Sequence, residues 1–111
     1  MTAGETARRA LVVETLETTA RLHAALAGGP AVEAIARAGD VLVEVLRAGG
    51  QVLAFGNGGS AADAQHLVAE LVGRFERPRR GFPAVALTSD PSVVTAVSND
   101  FGFETVFARQ V

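Results

Sequence analysis

Between Val52 and Glu70 the chain passes from a short apolar run, Val52-Leu53-Ala54-Phe55, through the turn Gly56-Asn57-Gly58-Gly59-Ser60 and into a stretch with one polar stripe at helical spacing. This order of strand, glycine turn and helix constrains the fold more than any other feature. The glycines let the backbone approach a ligand closely, and the first N–H groups of the helix have no partner within it. Phosphate is the natural guest for such a junction, and a plain connection in an α/β domain is the alternative.

The residues after the loop favour the functional reading. Asp63, His66 and Glu70 are spaced three and four apart and so fall on one helix face. A neutral imidazole and a carboxylate at i and i+4 can chelate a divalent metal, or can seat a general base beside its orienting partner. An isolated pair of this kind is more often a surface pair, but this one stands just after a glycine loop. Ala64, Leu67, Val68, Leu71 and Phe75 form the adjoining apolar stripe. The spacing predicts that Asp63, His66 and Glu70 share one cleft while Leu67, Leu71 and Phe75 are buried.

At 111 residues and 49% hydrophobic composition the chain suits one domain with a core. A net charge of -2 argues against a nucleic acid partner, which demands a basic face. All ten basic residues are Arg, a pattern read as coding bias. The lack of cysteine excludes disulfides and thiolate metal sites. No apolar run reaches the roughly 18 residues of a membrane span and the start is unlike a signal peptide, so the expectation is a cytoplasmic protein with no membrane partner.

In chain order, residues 4 to 26 fit a helix that Gly28-Gly29-Pro30 stops, with His23 a surface or structural residue near its end. From Ala31 to Ala48, Val32, Ile35, Gly39, Leu42, Val45 and Leu46 make an apolar stripe opposite charges of alternating sign. Gly49-Gly50 supplies its stop. Two amphipathic helices ahead of the first strand suit an oligomerisation layer, giving the division 1-48 helical segment and 49-111 α/β segment. Arg74 to Arg80, with four arginines, reads as a solvated loop. Pro83 to Leu87 reads as a second strand, parallel to the first. Asp90-Pro91 starts a short helix expected to run through about Val97, to be broken at Ser98 to Gly102 and followed by another helix from Phe103 to Val111. Two parallel strands leave open edges and cover little. The chain therefore reads as the front part of a larger α/β domain.

These residues resemble the sugar isomerase (SIS) domain family, and within it the phosphoheptose isomerases. The resemblance runs from about Gly49 to Val111 and rests on Gly56-Asn57-Gly58-Gly59-Ser60, Asp63-Ala64 with His66 and Glu70-Leu71, the Arg-Pro loop before Pro83 to Leu87, Ser98-Asn99-Asp100-Phe101-Gly102, and Phe107-Ala108-Arg109. It implies the start of a flavodoxin-like parallel sheet preceded by two helices. It also implies an aldose-ketose isomerase that converts sedoheptulose 7-phosphate to a D-glycero-D-manno-heptose 7-phosphate as a homotetramer. Carried over by position, Asn57, Gly58, Gly59, Ser60 and Glu70 bind substrate, as do Asn99 and Asp100. His66 and Glu70 ligate zinc, and Glu70 is also the proton-transfer base.

The departure from the family is the missing second half, with its Ser/Thr-rich phosphate loop and its late Gln and His. The chain alone is accordingly expected to be inactive. A non-catalytic SIS relative that binds the replication initiator, or a phosphosugar-binding module, is the alternative; it has no need of a carboxylate four residues after the histidine, where this chain has Glu70. A dinucleotide fingerprint on Gly56-x-Gly58-x-x-Ala61 is weak, since no acidic residue follows about 20 positions on at a strand end.

Overall fold

Gly28, Gly29 and Pro30 separate two helices in the computed structural model, which describes residues 1–111. The first, α1, spans Ala3–Ala27 and opens on a capping box: the Glu5 amide donates to the Thr2 hydroxyl at 3.2 Å and the Glu5 carboxylate accepts from the Thr2 amide. Thr15 and Thr19 donate their hydroxyls to the carbonyls of Leu11 and Thr15, one turn back. No residue of α1 is buried.

The second helix, α2, spans Ala31–Arg47 and ends where the sequence places its double glycine. Gly49 has φ +81, Gly50 N–H donates to Val45 O at 2.9 Å, and Gly49 N–H donates to Leu46 O at 3.2 Å. This is a Schellman closure, which requires a left-handed residue and so favours glycine at 49. The chain divides into two compact units, Met1–Val41 and Leu42–Val111. No helix is long and apolar enough to cross a membrane.

Within the second unit, β1 (Val52–Ala54) and β2 (Ala84–Ala86) pair in parallel, with Val52 opposite Ala84 and Ala54 opposite Ala86. Val52 N–H to Pro83 O and Leu87 N–H to Ala54 O, both 3.0 Å, extend the ladder at each end. The crossover between them is α3 (Gly59–Val72). The buried residues are Val52, Ala64, Ala86, Leu87 and Val106. Two helices followed by a parallel βαβ unit agree with the α/β fold the sequence implies, but only α2 is amphipathic; the apolar residues of α1 do not gather on one face.

Beyond β2 the structure departs from expectation in two places. Asp90 caps α4 as its sequence indicates, accepting from Ser92 and Val93 amides at 2.9 and 3.1 Å with Pro91 in the first turn. The helix, however, runs on from Pro91 to Phe101 rather than ending near Val97. Ser98 does not break it, because its hydroxyl donates to Val94 O at 2.6 Å and leaves the helix ladder in place. Gly102, at φ +89, makes the stop.

The second departure is Phe103 to Val111, which forms a single 3₁₀ turn (Phe103–Thr105) and further turns instead of a helix. Side-chain anchors override helical propensity here. Val106 is fully buried, Gln110 Nε2 donates to Leu87 O at 2.9 Å, and the Phe107 ring lies 4.7 Å from that of Phe55.

Candidate functional site

The turn from β1 into α3 is shaped by two glycines for different reasons. At Gly58 the backbone adopts φ +55, a left-handed value that side chains resist. At Gly56 a Cβ would meet Ser60 Cβ at 2.7 Å and the Ser60 carbonyl carbon at 2.8 Å, so the loop crosses the helix start at glycine distance. Gly58 is also the N-cap and offers no side chain to the helix amides. Ser60 N–H turns back to Asn57 O at 3.0 Å and Ala61 N–H to Gly58 O at 3.1 Å. Asn57, Gly58, Gly59 and Ser60 are all exposed, but with the Ser60 and Ala61 amides turned back to the chain only the Gly59 amide of the first turn is without a partner.

Further along α3, His66 Nε2 lies 3.1 Å from Glu70 Oε1. The two side chains are 76% and 36% exposed, so the pair lies at the surface with the imidazole outermost. Helical spacing places them together, as the sequence predicts. Asp63 does not join them. It lines an open cleft of about 600 Å³ with Ser60, Ala64, Leu67 and the β1 residues, and neither His66 nor Glu70 lines that cleft. All three nevertheless keep to one side of the helix, Glu70 about 20° and His66 about 60° around it from Asp63, and it is Leu67, about 40° to the other side, that enters the cleft with Asp63.

The apolar stripe also needs correction. Ala64 is buried and Leu71 half-buried, but Leu67 is 46% exposed in the cleft and Phe75, beyond the end of the helix, is 72% exposed. The short sheet contacts α3 along its Ala64 line, with Val68 and Leu71 half-buried and Leu67 and Phe75 exposed.

Asn99 and Asp100 occupy the last turn of α4, joined by a bond from Asn99 Nδ2 to Asp100 Oδ1 at 2.9 Å. No hydrogen bond or ion pair connects them to His66 or Glu70. The metal-ligand donors present are likewise two, His66 and Glu70, and no group of three or more His, Cys, Asp or Glu comes together. A catalytic zinc takes three protein ligands. The chain fits part of a metal's shell, not a whole one.

Arg79 is the residue that sequence reading missed. Far from being a member of a solvated loop, it is half-buried and its guanidinium spans the end of α3. Nη2 donates to Glu70 O at 2.7 Å, and Nη1 donates to Leu71 O at 2.9 Å, Arg80 O at 3.0 Å and Gly73 O at 3.2 Å. Its Cζ sits 4.1 Å over the Phe82 ring. The signal was available: the last turn of α3 has no basic residue, and its open carbonyls attract a cation from the loop.

Known proteins bear on this arrangement. The phosphoheptose isomerase of Geotalea daltonii is 60% identical over 77 residues, which are 69% of this chain and 40% of that protein. That of Aquifex aeolicus is 62% identical over 71 residues, 64% of this chain and 37% of its own length. The chain thus spans about two fifths of the curated relatives it matches. Among solved structures, a phosphoheptose isomerase from Francisella tularensis superposes with a TM-score of 0.84 at 38% identity, covering 100% of this chain and 55% of that one. Phosphoheptose isomerase GmhA from Neisseria gonorrhoeae gives 0.76 at 38% identity, covering 96% and 52%. The family model described as the SIS domain matches residues 12–111, and the chain belongs to that family.

Proposed function

We propose that this chain carries the first part of a phosphosugar aldose-ketose isomerase acting on sedoheptulose 7-phosphate. The observation that carries the reading is the 3.1 Å contact of His66 Nε2 with Glu70 Oε1 on the helix that opens at the glycine turn. It gains support from similarity to proteins named phosphoheptose isomerase.

In this reading the exposed Asn57-Gly58-Gly59-Ser60 turn binds the substrate, and Asn99 and Asp100 hold sugar hydroxyls. Glu70 removes a proton from the hydroxyl-bearing carbon beside the ketone. The electron pair forms the enediol double bond, and the proton returns to the former carbonyl carbon while the hydroxyl proton moves between the two oxygens. His66 orients the Glu70 carboxylate. Zinc, when bound, would be held by His66 and Glu70 with ligands from elsewhere, and would polarise the substrate oxygens.

The same reading assigns residues 1-48 to assembly as a homotetramer, with residues 49-111 beginning the SIS domain, in the cytoplasm. The exposed Leu11, Leu16 and Ile35, each at least 64% accessible, suit such a role.

The test is Glu70→Gln in a chain extended to the length of its relatives. Turnover should fall by about a hundredfold to ten-thousandfold with the circular dichroism unchanged. Near-wild-type turnover would return Glu70 to a surface pair. Sugar phosphate binding without turnover in the unmutated extended chain would favour a non-catalytic scaffold instead. The 111-residue chain itself, given sedoheptulose 7-phosphate and zinc, should form no aldose.

A further inference from the structure

We propose that Arg79 is a positioning residue for Glu70, an inference that rests on the role given to Glu70 above. The helix carrying His66 and Glu70 ends at Val72, so Glu70 lies in its last turn. Last turns fray, because their carbonyls lack intrahelical donors. A base placed there would lose its geometry with each opening unless something held the turn closed.

Two groups from the following loop hold it. Phe82 N–H donates to Leu71 O at 2.9 Å, and the Arg79 fork takes the carbonyls of Glu70, Leu71 and Gly73. The shortest of the Arg79 bonds, 2.7 Å, goes to the backbone of Glu70 itself. The planar guanidinium is held in turn by the Phe82 ring beneath it. Because Glu70 Oε1 meets His66 on the same helix, fixing the Glu70 backbone fixes the pair. Lys is a poorer substitute, since the Glu70 carbonyl is taken by one nitrogen, Nη2, and those of Leu71 and Gly73 by the other, Nη1, and a single ammonium lacks this fork.

The experiment uses the 111-residue chain and nuclear magnetic resonance at one pH. The chain has two histidines, and His23, whose Nδ1 lies 2.9 Å from Thr19 O in α1, serves as internal control. In Arg79→Gln, the amides of Gly73 and Phe82 should exchange about ten- to a hundredfold faster, the loss expected for charge-assisted bonds. The His66 side-chain nitrogen resonances should move toward those of a free imidazole, with His23 unmoved. Arg79→Lys should lie between Gln and wild type, and it supplies the reading should Arg79→Gln fail to fold. Faster exchange with unmoved His66 resonances would make Arg79 a helix cap only and overturn the proposal. Since neither readout needs turnover, a failure here is distinct from a failure of the isomerase reading.

Discussion

Met1–Val41 and Leu42–Val111 are both supplied with apolar side chains, yet every buried residue lies in the second unit. The first is maintained by short-range terms: a capping box at Thr2, threonine hydroxyls returned to carbonyls one turn back, and an exposed Glu17–Arg21 pair at 3.8 Å. Such a pair contributes only about 0.3–0.5 kcal/mol. The second unit is closed by contacts between residues distant in sequence, such as Gln110 with Leu87 and Phe107 with Phe55. Helices can be specified by local chemistry alone, whereas a site with fixed geometry needs the distant contacts. The candidate site accordingly stands in the second unit.

The strongest way to break this contrast is Val106→Asp. Val106 has no exposed surface, and a carboxylate there would lose its water without gaining a partner. The expected cost is about 3 kcal/mol or more. Residue-resolved amide exchange should show protection lost across β1, α3 and β2 while α1 keeps its own. Simultaneous loss in α1 would mean that the two units do not unfold independently.

A smaller effect comes from exchanging one glycine in each region. Gly56→Ala places a methyl 2.7 Å from Ser60 Cβ and should cost about 1–3 kcal/mol, measured by urea unfolding of the second unit. Gly39→Ala, in α2, meets nothing within 4 Å and replaces glycine inside a helix. It should stabilise α2 by about 0.5–1 kcal/mol. Opposite signs at chemically identical substitutions would confirm that position 56 is glycine for contact and position 39 is not. A neutral Gly56→Ala would remove the close crossing as the reason for the glycine turn.

Element order, the parallel strand pair and the His66–Glu70 contact were legible because each follows from periodicity or from i,i+4 spacing. Phe103 to Val111 was not. Its sequence has no helix breaker, and what unwinds it is a set of contacts to Leu87 and Phe55 that no local pattern encodes. The same holds for Leu67, which periodicity assigns to the core and the narrow sheet leaves in the cleft. Arg79 lies between these cases, since its role depends on a helix end seven residues back that lacks its own cation.

The smallest predicted effect tests the local side of the comparison, at the start of α1. The backbone bond to Thr2, and secondarily the Thr2 hydroxyl, hold the Glu5 carboxyl below its usual 4.5. A carboxyl whose folded value is depressed binds fewer protons when folded. Its contribution is therefore present above about pH 4.5 and is lost as pH falls through the lower folded value. Helicity of α1 should decline on acidification through this window, and Glu5→Gln should remove that part of the decline while leaving the contribution of other carboxylates. Thr2→Ala should lower α1 stability by about 1 kcal/mol at neutral pH and flatten the same window, because it deletes the hydroxyl half of the box. Far-ultraviolet circular dichroism of wild type, Glu5→Gln and Thr2→Ala across this range makes the measurement. Superimposable profiles would show that the box seen at Thr2 and Glu5 does not hold the helix end, and α1 would then need a source of order other than its own caps.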